Sequence, residues 1–228
     1  NNKHISMTKQ TLYTVAIPLL SAAILIALQI FAAPSVMETI NNENGALEIL
    51  HFLTMAVAFF VALPLFIRMD RKKDPLMTAW IFIATLACLY VAAEEVSWGQ
   101  HFIDWPTPDY WQHVNDQQET NLHNTSSWLD QKPRLVLEIG VLVGGLIIPA
   151  LLKYKPQWLP ERFNAFYTDG RFVTTALMAL GFKIVDKISD MNIAVLFHRP
   201  SEVVEFYLFY FVLLYLIFLR KRLLPDNK

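Results

Sequence analysis

Residues 76–98 read LMTAWIFIATLACLYVAAEEVSW, a run that is apolar until it reaches Glu94 and Glu95. A helix rises about 1.5 Å per residue, so a run of this length spans the hydrocarbon core of a bilayer, which is about 30 Å thick. The apolar residues are continuous rather than alternating, which favours a helix over a strand of a membrane barrel. The stretch therefore predicts a transmembrane helix that carries two carboxylates near one end.

Other stretches of the chain have the same character. The predicted helices cover residues 12–32, 46–67, 76–98, 135–152, 171–189 and 202–219. Lys183 and Asp186 interrupt the fifth of them, for which a re-entrant or tilted segment is the alternative. No small-residue cleavage site of the A-x-A type follows the first, so we expect a retained helix rather than a signal peptide. The prediction is one all-α integral membrane domain over residues 1–228, a bundle of about six transmembrane helices.

Basic residues predict the orientation, because cytoplasmic loops of membrane proteins are enriched in Lys and Arg. With six helices, the two termini and the segments 68–75 and 153–171 share one side and hold 14 of the 19 Lys and Arg residues. Both termini are therefore predicted to be cytoplasmic. Of the 20 acidic residues, 15 then lie on the other side, as do five of the six histidines. The longest polar stretch, residues 99–134, becomes an extracytoplasmic loop.

Ionisable side chains gather at the predicted outer ends of the helices. Such groups are costly inside a membrane helix, so they usually face the bundle interior and find partners there. Interleaved carboxylates and imidazoles suit proton transfer or divalent metal binding. The candidate catalytic residues are Glu94, Glu95, His101, Glu119, His123, Lys183 and Asp186. The candidate ligands of a divalent metal, with zinc favoured, are Glu48, His51, Glu138, His198 and Glu205.

These residues also have structural interpretations. Lys183 and Asp186 can pair with each other or with Glu95 and hold the bundle together. Glu202 lies at a helix start, where a carboxylate favours the helix dipole. The loop tryptophans are typical of an interfacial belt. The segment WPTPDYW at residues 105–111 is predicted either to cover the site as a lid or to anchor at the membrane surface.

Several classes of site are excluded by the residues present. The single cysteine, Cys88, excludes a disulfide framework and a cysteine-type zinc site. No H-E-x-x-H, G-x-S-x-G, Walker A or Rossmann motif occurs. The basic residues follow the predicted membrane sidedness, so they need no nucleic acid to explain them. The expected environment is a lipid bilayer.

The middle third of the chain resembles a group of small bacterial polytopic membrane proteins whose activity is uncharacterised. The resemblance rests on EEVSWGQ at residues 94–100 and ETNLHN at residues 119–124. It implies a location in the bacterial inner membrane. In layout alone the chain is also similar to alkaline ceramidase-like membrane hydrolases, which use intramembrane His, Asp and Ser residues around a zinc ion. It departs from them because it lacks a His-x-x-x-His pair on the last helix and has six predicted helices rather than seven.

Two functions follow as alternatives. The first is a membrane-embedded hydrolase or transferase with an outward-facing site, acting on a lipid or lipid-linked substrate by acid/base or metal-assisted chemistry. The second is a non-enzymatic protein, either a small transporter or channel or a subunit that binds a partner through residues 99–134. A transporter should carry polar residues along a path to the cytoplasm, and the inner halves of the first, second, fourth and sixth predicted helices have few. A protein partner or a homo-oligomer is compatible with both.

Overall fold

A computed structural model describes residues 9–41, 45–115, 117–122, 125–191 and 197–224. Within these ranges the chain is predominantly helical and contains no β-strand. The helices are α1, Lys9–Phe31; α2, Pro34–Asn41; α3, Ala46–Arg68; α4, Pro75–Glu94; α5, Gln100–Ile103; α6, Asp109–Val114; α7, Ser127–Leu142 continued by Val143–Ile147 and Ile148–Tyr154; α8, Val173–Asp190; and α9, Pro200–Leu223. The predicted all-α architecture is confirmed.

Five of these helices are long and apolar enough to cross a membrane, namely α1, α3, α4, α9 and the Gln131–Tyr154 part of α7. Large apolar side chains such as Phe31, Phe60 and Ile83 are exposed on their outer faces, as expected of helices in contact with lipid. The predicted multi-pass membrane protein is therefore confirmed. Helix α8 forms where the fifth span was predicted. Its charged residues exclude it from the five helices that are apolar enough to cross a membrane, so a sixth span remains a prediction.

Helix α9 is the central helix of the bundle. In the most apolar 18-residue stretch of α9, 67% of the residues are buried, against 17% to 33% in the corresponding stretches of the other four candidate spans. It packs against α3 and α8, and it is tied to α1 by hydrogen bonds from Tyr207 to the Pro18 carbonyl and from Tyr210 to the Tyr13 carbonyl. A helix that is apolar on all sides is typical of such a buried position. The first turn of α9 therefore lies at the centre of one end of the bundle.

The two ends of the bundle differ in charge. We call the acidic end the one where α3, α7 and α9 begin and where α1 and α4 end. The opposite, basic end holds the turn 69–74, the segment 155–172 and the last turn of α9. There the Arg222 guanidinium donates to the backbone carbonyls of Asn164, Ala165 and Tyr167 and closes the 155–172 segment onto α9.

Among the helix boundaries that differ from those predicted, two shape the acidic end. Helix α4 ends at Glu94 rather than residue 98, because Ser97 and Trp98 have positive φ angles of 46° and 57° that a right-handed helix does not contain. Helix α7 begins at Ser127 rather than residue 135, which places Arg134 inside the helix. The polar stretch between α4 and α7 is correspondingly shorter, and it folds back onto the end of α4.

Candidate functional site

His51 lies in the second turn of α3, is fully buried, and uses both ring nitrogens. Its Nε2 is 3.0 Å from the backbone carbonyl oxygen of Glu202, which can only accept, so Nε2 carries a proton. Its Nδ1 is 3.1 Å from Oε2 of Glu95. The α9 carbonyl thus fixes the tautomer of His51, and the second nitrogen is left to share a proton with the Glu95 carboxyl group.

Glu94 and Glu95 leave the end of α4 in different directions, since consecutive helical residues project about 100° apart. Glu94 is only 3% exposed and accepts hydrogen bonds from the indole N–H of Trp98 and from the backbone N–H of Leu122, the latter at 2.7 Å. It therefore anchors the returning loop. Glu95 turns toward His51 and keeps its side chain 12% exposed.

A cavity of about 210 Å³ opens at the acidic end, and we call it the acidic pocket. Its lining residues come from α3, the end of α4, α5, the loop after α6, α7 and the start of α9. They are Glu48, Glu94, Glu95, His101, Gln117, Glu119, Asn121, Arg134, Arg199, Ser201, Glu202 and Glu205. Six carboxyl groups face two guanidinium groups, so the pocket is electronegative. A cleft lined mostly by one sign of charge concentrates ligands of the opposite sign.

Ser97 organises the loop side of this pocket although it is fully buried and does not line it. Its hydroxyl donates to Oε2 of Glu119 at 2.6 Å and accepts from Nδ2 of Asn121 at 2.9 Å. Because its one proton is used, the hydroxyl also accepts from Nε2 of His101, at 3.0 Å. His101 and Asn121 contact the Glu119 carboxylate as well, at 2.9 and 2.8 Å. Three donors thus fix Glu119, and Ser97 is a positioning residue.

Arg134 connects the pocket to a second network of charges. Its guanidinium lies 2.8 Å from Oε1 of Glu205 and 3.4 Å from Oε1 of Glu138. Lys183 lies 2.9 Å from the same Glu138 oxygen and 3.4 Å from Oδ2 of Asp186. These ion pairs join α7, α8 and α9 at a depth where an unpaired charge would be costly. Lys183 and Asp186 therefore have a structural use beside the pocket.

His51, Glu202 and Glu205 form a group that could hold a metal ion, with ligand atoms within 4.8 Å of one another. Imidazole and carboxylate ligands suit zinc. Because Nε2 of His51 donates to a carbonyl, only Nδ1 can offer a lone pair, and Nδ1 faces Glu95. A cation bound by His51 would therefore compete with the proton shared with Glu95.

The predicted site residues divide into groups in the structure. Those lining the acidic pocket are Glu48, Glu94, Glu95, His101, Glu119 and Glu205, with His51 directly behind Glu95. Glu138, Lys183 and Asp186 form the adjacent ion-pair network. His198 is exposed ahead of α9, with its backbone N–H donating to the Gln29 side chain. His123 lies outside the described residues.

Six residues that line the pocket were not among the predicted site residues. They are Gln117, Asn121, Arg134, Arg199, Ser201 and Glu202. For the two arginines a signal existed, because both lie on the predicted acidic side, where a basic side chain among carboxylates indicates ion pairing. Arg199 does pair with Glu202, at 3.1 Å. Asn121 reaches the pocket only through the folding of its loop, and no local pattern predicts that.

Comparison of the chain with protein-family models, with curated proteins and with solved structures finds no match. The family resemblance based on EEVSWGQ and ETNLHN therefore remains a prediction.

Proposed function

We propose that the protein is a membrane-embedded hydrolase or transferase that uses the acidic pocket on a lipid or lipid-linked substrate, from the extracytoplasmic side of a bacterial inner membrane. The observation that carries the proposal is the contact between His51 and Glu95. A carboxyl group that lines a pocket shares a proton with a buried imidazole whose tautomer is fixed by a backbone carbonyl. Carboxyl and imidazole groups in this arrangement suit general acid–base catalysis.

Glu95 is the catalytic residue in this proposal. Its carboxylate takes a proton from a water or hydroxyl nucleophile as the nucleophile's oxygen bonds to the electrophilic atom of the substrate. The proton then passes to the leaving group as the bond to that group breaks. His51 is a positioning residue that orients Glu95 and buffers its charge, and Arg134 and Arg199 offer positive charge to a developing oxyanion.

A divalent metal at His51, Glu202 and Glu205 is the metal-assisted form of the same proposal. A bound cation would activate water or polarise the substrate. Metal analysis of the purified protein separates the two forms. One equivalent of zinc, lost in a Glu205→Gln variant, supports the metal-assisted form, and metal-free protein that retains full turnover supports acid/base chemistry by Glu95.

The test is turnover of native lipids by the purified protein in nanodiscs. Wild type and variants are incubated with a bacterial polar lipid extract that contains lipid-linked precursors, and mass spectrometry follows which species disappear and which form. We expect Glu95→Gln to slow turnover by roughly 100- to 10,000-fold, the usual contribution of a general acid or base. Glu161→Gln, at an exposed turn of the basic end, is the matched control and should turn over normally.

Two results would overturn the proposal. One is full activity in both the Glu94→Gln and the Glu95→Gln variants. The other is a folded wild-type protein that changes no lipid species, which favours the non-enzymatic alternative. Unfolding temperatures of all variants, measured in the same nanodiscs, show whether a loss of turnover is only a loss of folded protein.

A further inference from the structure

A second cavity, of about 440 Å³, lies among the membrane-spanning helices, in the space that α4, α7 and α9 leave between them. We call it the apolar cavity. The side chains that define it are mostly apolar and include Trp80, Ile83, Ala87, Val136, Leu137 and Phe209. Its volume falls in the range of about 300–1,000 Å³ that is typical of small-molecule sites.

The apolar cavity is open to the side of the bundle. Helices α4 and α7 make little direct contact with each other, and the side chains between them are accessible. Ile83 on α4 and Val136 on α7 are 60% and 71% exposed. In a bilayer this opening faces the hydrocarbon core, so a lipid chain can enter without crossing water.

The apolar cavity meets the acidic pocket at its inner wall. Glu94, Glu95, Arg134 and Glu205 line both cavities. A chain lying in the apolar cavity would therefore bring whatever it is attached to against the carboxyl group of Glu95. An apolar cavity that ends in titratable groups fits an amphiphile better than a wholly apolar ligand, because only an amphiphile satisfies both linings.

The charges at this junction indicate which headgroup is accommodated. Three carboxyl groups line it. Glu205 pairs with the single guanidinium of Arg134 and Glu95 shares a proton with His51, so Glu94 is the excess negative charge. The acidic pocket beyond adds Glu48, Glu119 and Glu202, with Arg199 as its other guanidinium. An anionic headgroup would meet a net negative wall, whereas an ammonium group would be attracted to it.

We infer that the apolar cavity binds the hydrocarbon chain of an amine-bearing amphiphile, with its ammonium group held by the carboxylates of the acidic pocket. This inference rests on the proposed function, since it names the substrate class of the same site. It adds a route of entry, sideways between α4 and α7, and a selectivity by headgroup charge.

Photo-crosslinking tests the inference without requiring turnover. Three probes share one diazirine-bearing alkyl chain and end in a primary amine, an alcohol or a carboxylate. Each is irradiated with the protein in nanodiscs, and labelled peptides are mapped by mass spectrometry. We expect the amine probe to label the α4 and α7 walls around Ala87 and Leu137 most strongly, and excess dodecylamine to suppress that labelling.

Variants separate the apolar cavity from the general lipid surface. Ala87→Trp fills the cavity at an accessible position and should abolish labelling of its walls. Leu89→Trp, on the same helix but outside the cavity lining, is the matched control and should leave labelling unchanged. Glu95→Gln combined with Glu205→Gln should remove the preference for the amine probe.

Equal labelling by all three probes would mean that bulk bilayer lipid occupies the cavity, and it would overturn the inference. Labelling that persists in Ala87→Trp would overturn it as well. Turnover that depends on Glu95 but is accompanied by non-selective labelling contradicts the inference alone. Selective amine labelling without turnover contradicts only the proposed enzyme.

Discussion

Glu94 and Glu95 are adjacent in the chain but have different partners in the structure. Two adjacent carboxylates at the end of an apolar run indicate that at least one of them has a partner inside the bundle. In the structure, Glu94 accepts a hydrogen bond from the loop that folds back onto the end of α4, and Glu95 contacts the ring of His51. The partner His51 is 44 residues away in the chain, and only the packing of α3 against α4 and α9 brings it there.

Asp169, at the basic end, provides a pH-dependent prediction outside the spanning helices. Burial alone would raise the pKa of Asp169, but hydrogen bonds and charge from Arg171 outweigh it and hold the pKa below its ordinary value. A depressed pKa contributes stability above the unfolded-state value of about 3.9, and that stability is lost as the pH falls through the folded-state value.

We therefore expect Asp169→Asn to lower the free energy of unfolding at pH 7 by about 0.2–1 kcal/mol, the range for a solvent-screened ion pair. The difference between wild type and variant should shrink as the pH falls below about 4. Thermal unfolding in detergent across this pH range measures it. A difference that stays constant with pH would contradict the assigned role of the carboxylate.

Continuous apolar runs were enough to predict the five helices that are long and apolar enough to cross a membrane. Boundaries were less predictable, because the end of α4 depends on the positive φ angles of Ser97 and Trp98. Those angles accompany the hydrogen bonds that Ser97 makes to the loop, and these are tertiary contacts. The charged residues that interrupt the apolar sequence of α8 also depend on tertiary contacts. Lys183, for example, pairs with Glu138 on α7, a contact that the local sequence pattern does not show.

The glycines of α7 give a prediction about helix packing. The spacing Gly140-x-x-x-Gly144 is typical of close approach, but the tightest position is Gly145. A Cβ there would clash with the Ala176 side chain and lie 3.0 Å from the ring of Phe211. A Cβ on Gly140 would meet nothing within 4 Å.

Gly145→Ala should therefore lower the free energy of unfolding by about 1–3 kcal/mol through overpacking. Gly140→Ala is the matched control and should be neutral or raise stability by about 0.5–1 kcal/mol, because alanine favours a helix. Unfolding by denaturant in mixed micelles compares the two. Equal effects at both positions would show that α7 does not pack against α8 and α9 as described.

Across the whole chain, the separation of an acidic from a basic end was foreseeable. Once the helices are placed, most Lys and Arg residues fall on one side and most acidic residues on the other. The gathering of particular carboxylates in one pocket was not, because it needs the relative rotation of several helices. The orientation of the bundle in the membrane remains a prediction, and cysteine labelling can test it.

Tyr110→Cys at the acidic end and Lys72→Cys at the basic end are both introduced at exposed positions. The native Cys88 is buried and provides little background. In spheroplasts, a membrane-impermeant maleimide should label the first variant directly and the second only after permeabilisation. The reverse pattern would place the acidic pocket on the cytoplasmic side.

The central claim is that His51 and Glu95 act as one unit beside the acidic pocket. A double-mutant cycle of His51→Gln and Glu95→Gln measures it directly through free energies of unfolding, without knowledge of the substrate. Groups in direct contact typically show a coupling energy of about 0.5–3 kcal/mol, whereas distant sites add to within about 0.5 kcal/mol. We predict coupling in the first range for this pair and additivity when His51→Gln is combined with Glu161→Gln. Additive effects of His51→Gln and Glu95→Gln would contradict the claim.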